Sequence, residues 1–128
     1  MITEDYVSFE TAKLLKEKGF DVECRDYYST EEHFYSEDFK SNWNDTKGGI
    51  TVFSAPTLQM AMKWLRNTFH LEIYPFHDAI QESNDWWYRI EYHSKGCSLT
   101  KESDAIYKTY EQACETAIKY CLENFIYE

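Results

Sequence analysis

The chain has 128 residues, with 13 Lys and Arg against 23 Asp and Glu, a net charge of −10 and 43% apolar residues. That length suits a single domain over residues 1–128. Aromatic residues at 18%, with only 4 Gly and 2 Pro, exclude a disordered, collagen-like or linker-like composition.

No window offers the basic stripe that displaces counterions from phosphate, so neither direct nucleic-acid binding nor attachment to an anionic membrane is expected. No run of 18 apolar residues is present to cross a bilayer. The opening Met1-Ile2-Thr3-Glu4-Asp5 lacks the basic and apolar regions of a signal peptide, and a cytoplasmic location is expected. Cys24, Cys97, Cys114 and Cys121 form no CxxC pair. Cys114 and Cys121 stand seven residues apart on one expected helix, about 10 Å and too far for a disulfide. All four read as small buried apolar residues.

In chain order, Ser8 to Lys18 carries the first helical periodicity. Ser8 caps it, Phe9, Ala12 and Leu15 share a face, and Gly19 ends it in the left-handed conformation. Phe20 to Tyr28 alternates weakly through Val22 and Cys24 and reads as a strand. The stretch Asp26 to Lys47 fits no element. It holds Tyr27, Tyr28, Phe34, Tyr35, Phe39 and Trp43 among Glu31, Glu32, Glu37, Asp38 and Asp45, and residues 1–46 carry a net −7. Two readings stand: a long functional loop, or a short helix around Glu31–Phe39 whose aromatics cover a sheet edge. Gly48-Gly49 then reads as a turn into a short strand, Ile50 to Phe53.

Thr57 to Phe69, after Pro56, sets Leu58, Ala61, Met62, Leu65 and Phe69 on one stripe that Met60 and Trp64 widen. Such a helix is buried over much of its circumference or forms a dimer contact. Leu71 to Phe76 reads as a strand. Trp86 to His93 alternates, with Trp86, Tyr88, Ile90 and Tyr92 on one side and Trp87, Arg89, Glu91 and His93 on the other. Ala105 to Tyr107 is expected as a short last strand. Tyr110 to Phe125 is the third helix, with Thr109 and Gln112 at capping-box spacing and Tyr110, Cys114, Ala117, Ile118, Cys121 and Phe125 as its apolar face. The order α-β-β-α-β-β-(β)-α implies an α+β domain, an antiparallel sheet of four to five strands with about three helices.

Three helical stretches carry a resemblance. Tyr6 to Phe20, Ala55-Pro56-Thr57-Leu58-Gln59-Met60-Ala61-Met62-Lys63-Trp64-Leu65-Arg66, and Tyr110-Glu111-Gln112-Ala113 continuing to Ile118–Asn124 resemble segments of small uncharacterised proteins carried on prophages and other mobile elements of gut anaerobes. The resemblance covers about a third of the chain. It implies the context of a mobile-element accessory protein, and no activity or site residue comes with it.

Chemistry is sparse. His33, His70, His77 and His93 show no metal-ligand spacing, although His77-Asp78 forms half a site if His93 approaches across the sheet. His93 and Cys97, four residues apart with Cys97 in an expected turn, allow a base–nucleophile dyad to be drawn. Glu31-Glu32 and Glu37-Asp38 would need burial to act as acids or bases. Thr46-Lys47-Gly48-Gly49 lacks the spacing of a phosphate-binding loop. No catalytic residue, metal ligand or cofactor is assigned. Trp86-Trp87 sends one indole to the core and the other outward on a strand.

The preferred reading is a non-enzymatic, acidic protein-binding accessory module. It uses Phe34, Tyr35, Phe39, Trp43 and Trp87 against a basic protein partner, aromatics supplying contact area and carboxylates steering. A sharper form is mimicry of DNA charge. The alternatives are a small hydrolase near His77, His93 and Cys97, and a structural homodimer packed through the second helix.

Overall fold

In a computed structural model the described residues are 2–45, 49–77, 85–94 and 96–126, with Cys97 described by its backbone alone. Among them the order is α1 (Phe9–Glu17), β1 (Cys24–Ser29), β2 (Phe34–Ser41), β3 (Val52–Ser54), α2 (Leu58–Phe69), β4 (Leu71–His77), β5 (Trp86–Ser94), β6 (Cys97–Glu102) and α3 (Tyr110–Asn124). The α+β class and the three helices stand. The single sheet of four to five strands does not: two three-stranded antiparallel sheets form, ordered β2-β1-β3 and β4-β5-β6. The chain divides into two compact units, Met1–Ala61 and Met62–Glu128, with one sheet in each.

In the first unit the Ser8 hydroxyl accepts the Thr11 N–H at 3.2 Å, closing the start of α1. At its end Gly19 has φ +92°, and the Phe20 N–H reaches the Leu15 carbonyl at 2.9 Å while the Gly19 N–H reaches that of Lys16. This is the paired-bond cap that a left-handed glycine permits. Phe9 meets Tyr28 and Phe53 edge-on at 5.7 and 5.6 Å, and Lys16 Nζ donates to the Val52 carbonyl at 3.0 Å. Helix α1 therefore covers the sheet face that carries Tyr28 and Phe53.

The segment read as a loop or a hidden helix is strand β2, joined to β1 by a tight hairpin. The Glu32 N–H bonds the Ser29 carbonyl at 3.1 Å, the Ser29 N–H bonds that of His33 at 2.9 Å, and Glu32 takes φ +68°. This is a three-residue hairpin loop with its last residue left-handed, a position where Gly or Asn is the usual signal. The Ser29 hydroxyl accepts the N–H groups of Glu31 and His33 and holds the turn without glycine. Asp26 pairs with Ser36 but Cys24 with Ser41, so four residues of β2 oppose Arg25 alone. A bulge results, and burial does not alternate along β2, six of its eight residues being exposed.

In the second unit the registers are unbroken: β4 and β5 pair from Leu71–Tyr92 to His77–Trp86, and β5 and β6 from Arg89–Glu102 to Ser94–Cys97. Leu71, Tyr88 and Ile90 are buried on one face. Helix α3 packs on that face and buries Ala113, Cys114, Ala117, Ile118, Cys121 and Leu122. Thr109 accepts the Gln112 N–H at 3.1 Å, while Gln112 Oε1 accepts from Lys108, one residue before the expected capping-box partner. The last strand is also corrected. It is Cys97–Glu102 rather than Ala105–Tyr107, so Cys97 opens a strand instead of sitting in a turn, and Tyr107 forms only an isolated bridge to Trp86. On α2, Leu58, Ala61, Met62, Trp64 and Leu65 are buried within the chain, leaving Gln59, Met60, Lys63, Arg66 and Asn67 exposed. No described helix is long and apolar enough to cross a membrane.

Candidate protein-interaction surface

The register of the first sheet sorts its aromatics onto two faces. Tyr28 pairs with Phe34 and Phe53 on the α1 side, whereas Tyr27 pairs with Tyr35 on the other. On that second face the rings run as a contiguous tract. Tyr35 stacks on Tyr27 at 5.5 Å, Tyr27 meets Trp43 at 4.4 Å, and Trp43 meets Phe39 at 5.6 Å. Tyr35 is 45% and Phe39 59% exposed, with Tyr27 and Trp43 half-buried between them.

The tract is held from beneath. Trp43 Nε1 donates to the Cys24 carbonyl at 2.6 Å. Asn44 donates through Nδ2 to the Phe20 carbonyl and accepts the Ser54 N–H through Oδ1, both at 2.9 Å. Arg25 Nε donates to the Glu37 carbonyl at 3.0 Å within the bulge. The Tyr27 hydroxyl donates to Glu37 Oε2 at 2.7 Å, and this bond to a carboxylate, with burial second, raises the phenol above its usual pKa. Beside the tract lies a cleft of about 350 Å³ lined by Tyr27, Ser41, Asn42, Trp43, Asp45, Ile50 and Val52.

Of the five residues expected at a contact surface, Tyr35, Phe39 and Trp43 come together. Phe34 is 44% exposed but belongs to the opposite face, against Tyr6 at 5.1 Å and Tyr28 at 5.4 Å. Trp87 is in the other unit, half-buried and paired with Phe76; on the same face the Arg89 guanidinium lies 5.1 Å over the Tyr74 ring. Tyr27, at the centre of the tract, was not singled out from sequence. Its tie to Tyr35 depends on the hairpin, which the sequence does not announce.

The histidines do not converge. His77 pairs with Trp86 at one end of the β4–β5 ladder, while His93 lies beyond its other end and donates its N–H to the His70 carbonyl at 3.2 Å. Seven rungs put them on the order of 20 Å apart, so the condition for a shared His77–His93 site is not met. Asp78 and the Cys97 side chain lie outside the described residues. A second cleft, of about 520 Å³, opens beside His77 between Trp86, Lys108, Tyr110 and Glu111. Cys24, Cys114 and Cys121 are in no disulfide and are buried. Burial pushes the Cys114 thiol up to about 11 and Cys121 to about 12, and it raises Cys24 too, which keeps all three protonated and poor nucleophiles.

Searches against protein-family models, curated proteins and solved structures found no match to this chain.

Proposed function

We propose that this protein is a non-enzymatic binding module that engages a basic protein partner through the Tyr35–Tyr27–Trp43–Phe39 tract. The observation that carries the reading is this contiguous aromatic surface, partly exposed yet anchored by backbone hydrogen bonds. Rigid Tyr and Trp side chains give contact area at small entropic cost. Residues 1–46, with their net −7, supply the complementary field. The resemblance of the helices to mobile-element proteins fits an accessory module of that kind.

Affinity capture from host lysate, with wild-type bait beside a Tyr35→Ala, Phe39→Ala, Trp43→Ala bait, tests this. We expect one dominant basic partner that the triple variant fails to retain. Its association rate should fall at least about tenfold between low salt and 0.5 M. The reading fails if the variant captures the same proteins, or if association ignores salt.

A further inference from the structure

The cleft beside Trp43 gives the tract a defined point of recognition. We infer that it receives an arginine side chain of the partner; this rests on the binding function proposed above. Three properties of the cleft point there.

Its volume, about 350 Å³, is at the small end of ligand clefts and fits one long side chain better than an extended molecule. Its lining is mixed along the pattern of such a side chain: Ile50 and Val52 offer aliphatic surface for a methylene stem, and Tyr27 and Trp43 offer rings for a cation. Asp45, Asn42 and Ser41 supply oxygen acceptors in the same cleft.

The Tyr27 and Trp43 rings touch at 4.4 Å, so no group inserts between them as in a cage for a quaternary ammonium. A ligand lies against their joint surface instead, which favours a planar group. Guanidinium is planar, weakly hydrated and able to present several N–H groups at once to a carboxylate and an amide oxygen. A lysine ammonium is a strongly hydrated point charge that must shed more water to reach the same rings.

The test titrates the full-length protein, 15N-labelled, with acetyl-Gly-Arg-Gly-Arg-Gly-amide, its lysine counterpart, and its citrulline counterpart, which keeps the planar group without charge. We expect saturable shifts at Asn42, Trp43 and Asp45, with the arginine peptide bound at least about fivefold tighter than the lysine peptide and the citrulline peptide not bound. Asp45→Asn and Ile50→Ser, both at exposed positions, should each weaken the arginine peptide by about threefold or more while leaving the rest of the spectrum in place. Equal affinity for arginine and lysine, shifts that map elsewhere, or indifference to both substitutions overturns the inference. If lysate capture still depends on Tyr35, Phe39 and Trp43 in that event, the binding function survives and only the arginine assignment is lost. If capture is also indifferent, both fall.

Discussion

Each unit holds a three-stranded antiparallel sheet with one helix packed on a face, yet the two sheets use their residues differently. In β4-β5-β6 the register never slips, and the face under α3 is closed by Leu71, Tyr88 and Ile90. In β2-β1-β3 the register breaks at Arg25, β3 has three residues, and β2 is exposed along most of its length. On the face away from α1, Tyr35, Tyr27, Trp43 and Phe39 contact one another rather than a covering helix. The first arrangement is how apolar area is spent on stability; the second leaves it facing water, as the proposed binding surface requires.

Substitutions should separate the two. Ile90→Ala, in the closed sheet, empties a fully buried site and should lower unfolding free energy by about 2–5 kcal/mol in urea denaturation. A loss under about 1 kcal/mol would mean the second sheet is not the stability centre. Alkaline pH comes next. Tyr88, pushed up to about 12 mainly by burial and then by Tyr107, and the thiols of Cys114 and Cys121 keep their protons in the fold after the unfolded chain has begun to lose them. Their contribution is complete below about pH 9 and falls as pH rises towards 12, by about 1.4 kcal/mol for each unit separating the folded and unfolded pKa values. Thermal melts between pH 8 and 11 should show Tm constant and then descending; a Tm that rises over that range contradicts the buried placement of these groups.

The effects shrink in the open sheet. Arg25→Ala removes the bond to the Glu37 carbonyl and should cost under about 1 kcal/mol, with amide shifts confined to the bulge. Phe39→Ala should change stability by no more than about 0.5 kcal/mol yet weaken partner retention. A Phe39→Ala protein that unfolds as readily as Ile90→Ala would erase the contrast.

How much could be read from sequence follows the same division. Helices α1 and α3 were legible because Ser8, Gly19 and Thr109 perform their capping roles by local bonds, and α2 because its stripe of Leu58, Ala61, Met62 and Leu65 is buried. Strand β5 was legible because Tyr88 and Ile90 are buried on one side, which forces alternation. Strand β2 was hidden twice: Glu32 holds a left-handed turn position without Gly or Asn, and six of the strand's eight residues are exposed, so no alternation of apolar and polar residues marks it. With the hairpin unseen, Phe34 and Tyr35 appeared equivalent, although adjacent strand residues point to opposite faces. The separation of His77 from His93 was likewise a matter of register, which strand assignments alone do not fix.

The bulge has one more effect, on how the protein behaves when concentrated. Strand β2 lies at the margin of its sheet, eight residues long and carrying Phe34, Tyr35 and Phe39, the profile of a template for fibril growth. With four residues opposite one, the backbone donors and acceptors of Glu37 to Lys40 are out of step with any straight incoming strand. Only the short run from Phe34 to Ser36 keeps the spacing such a strand requires, and two acidic groups, Glu37 and Asp38, follow it immediately. The irregularity that breaks the β1–β2 register thus also leaves a growing aggregate little straight edge to pair with.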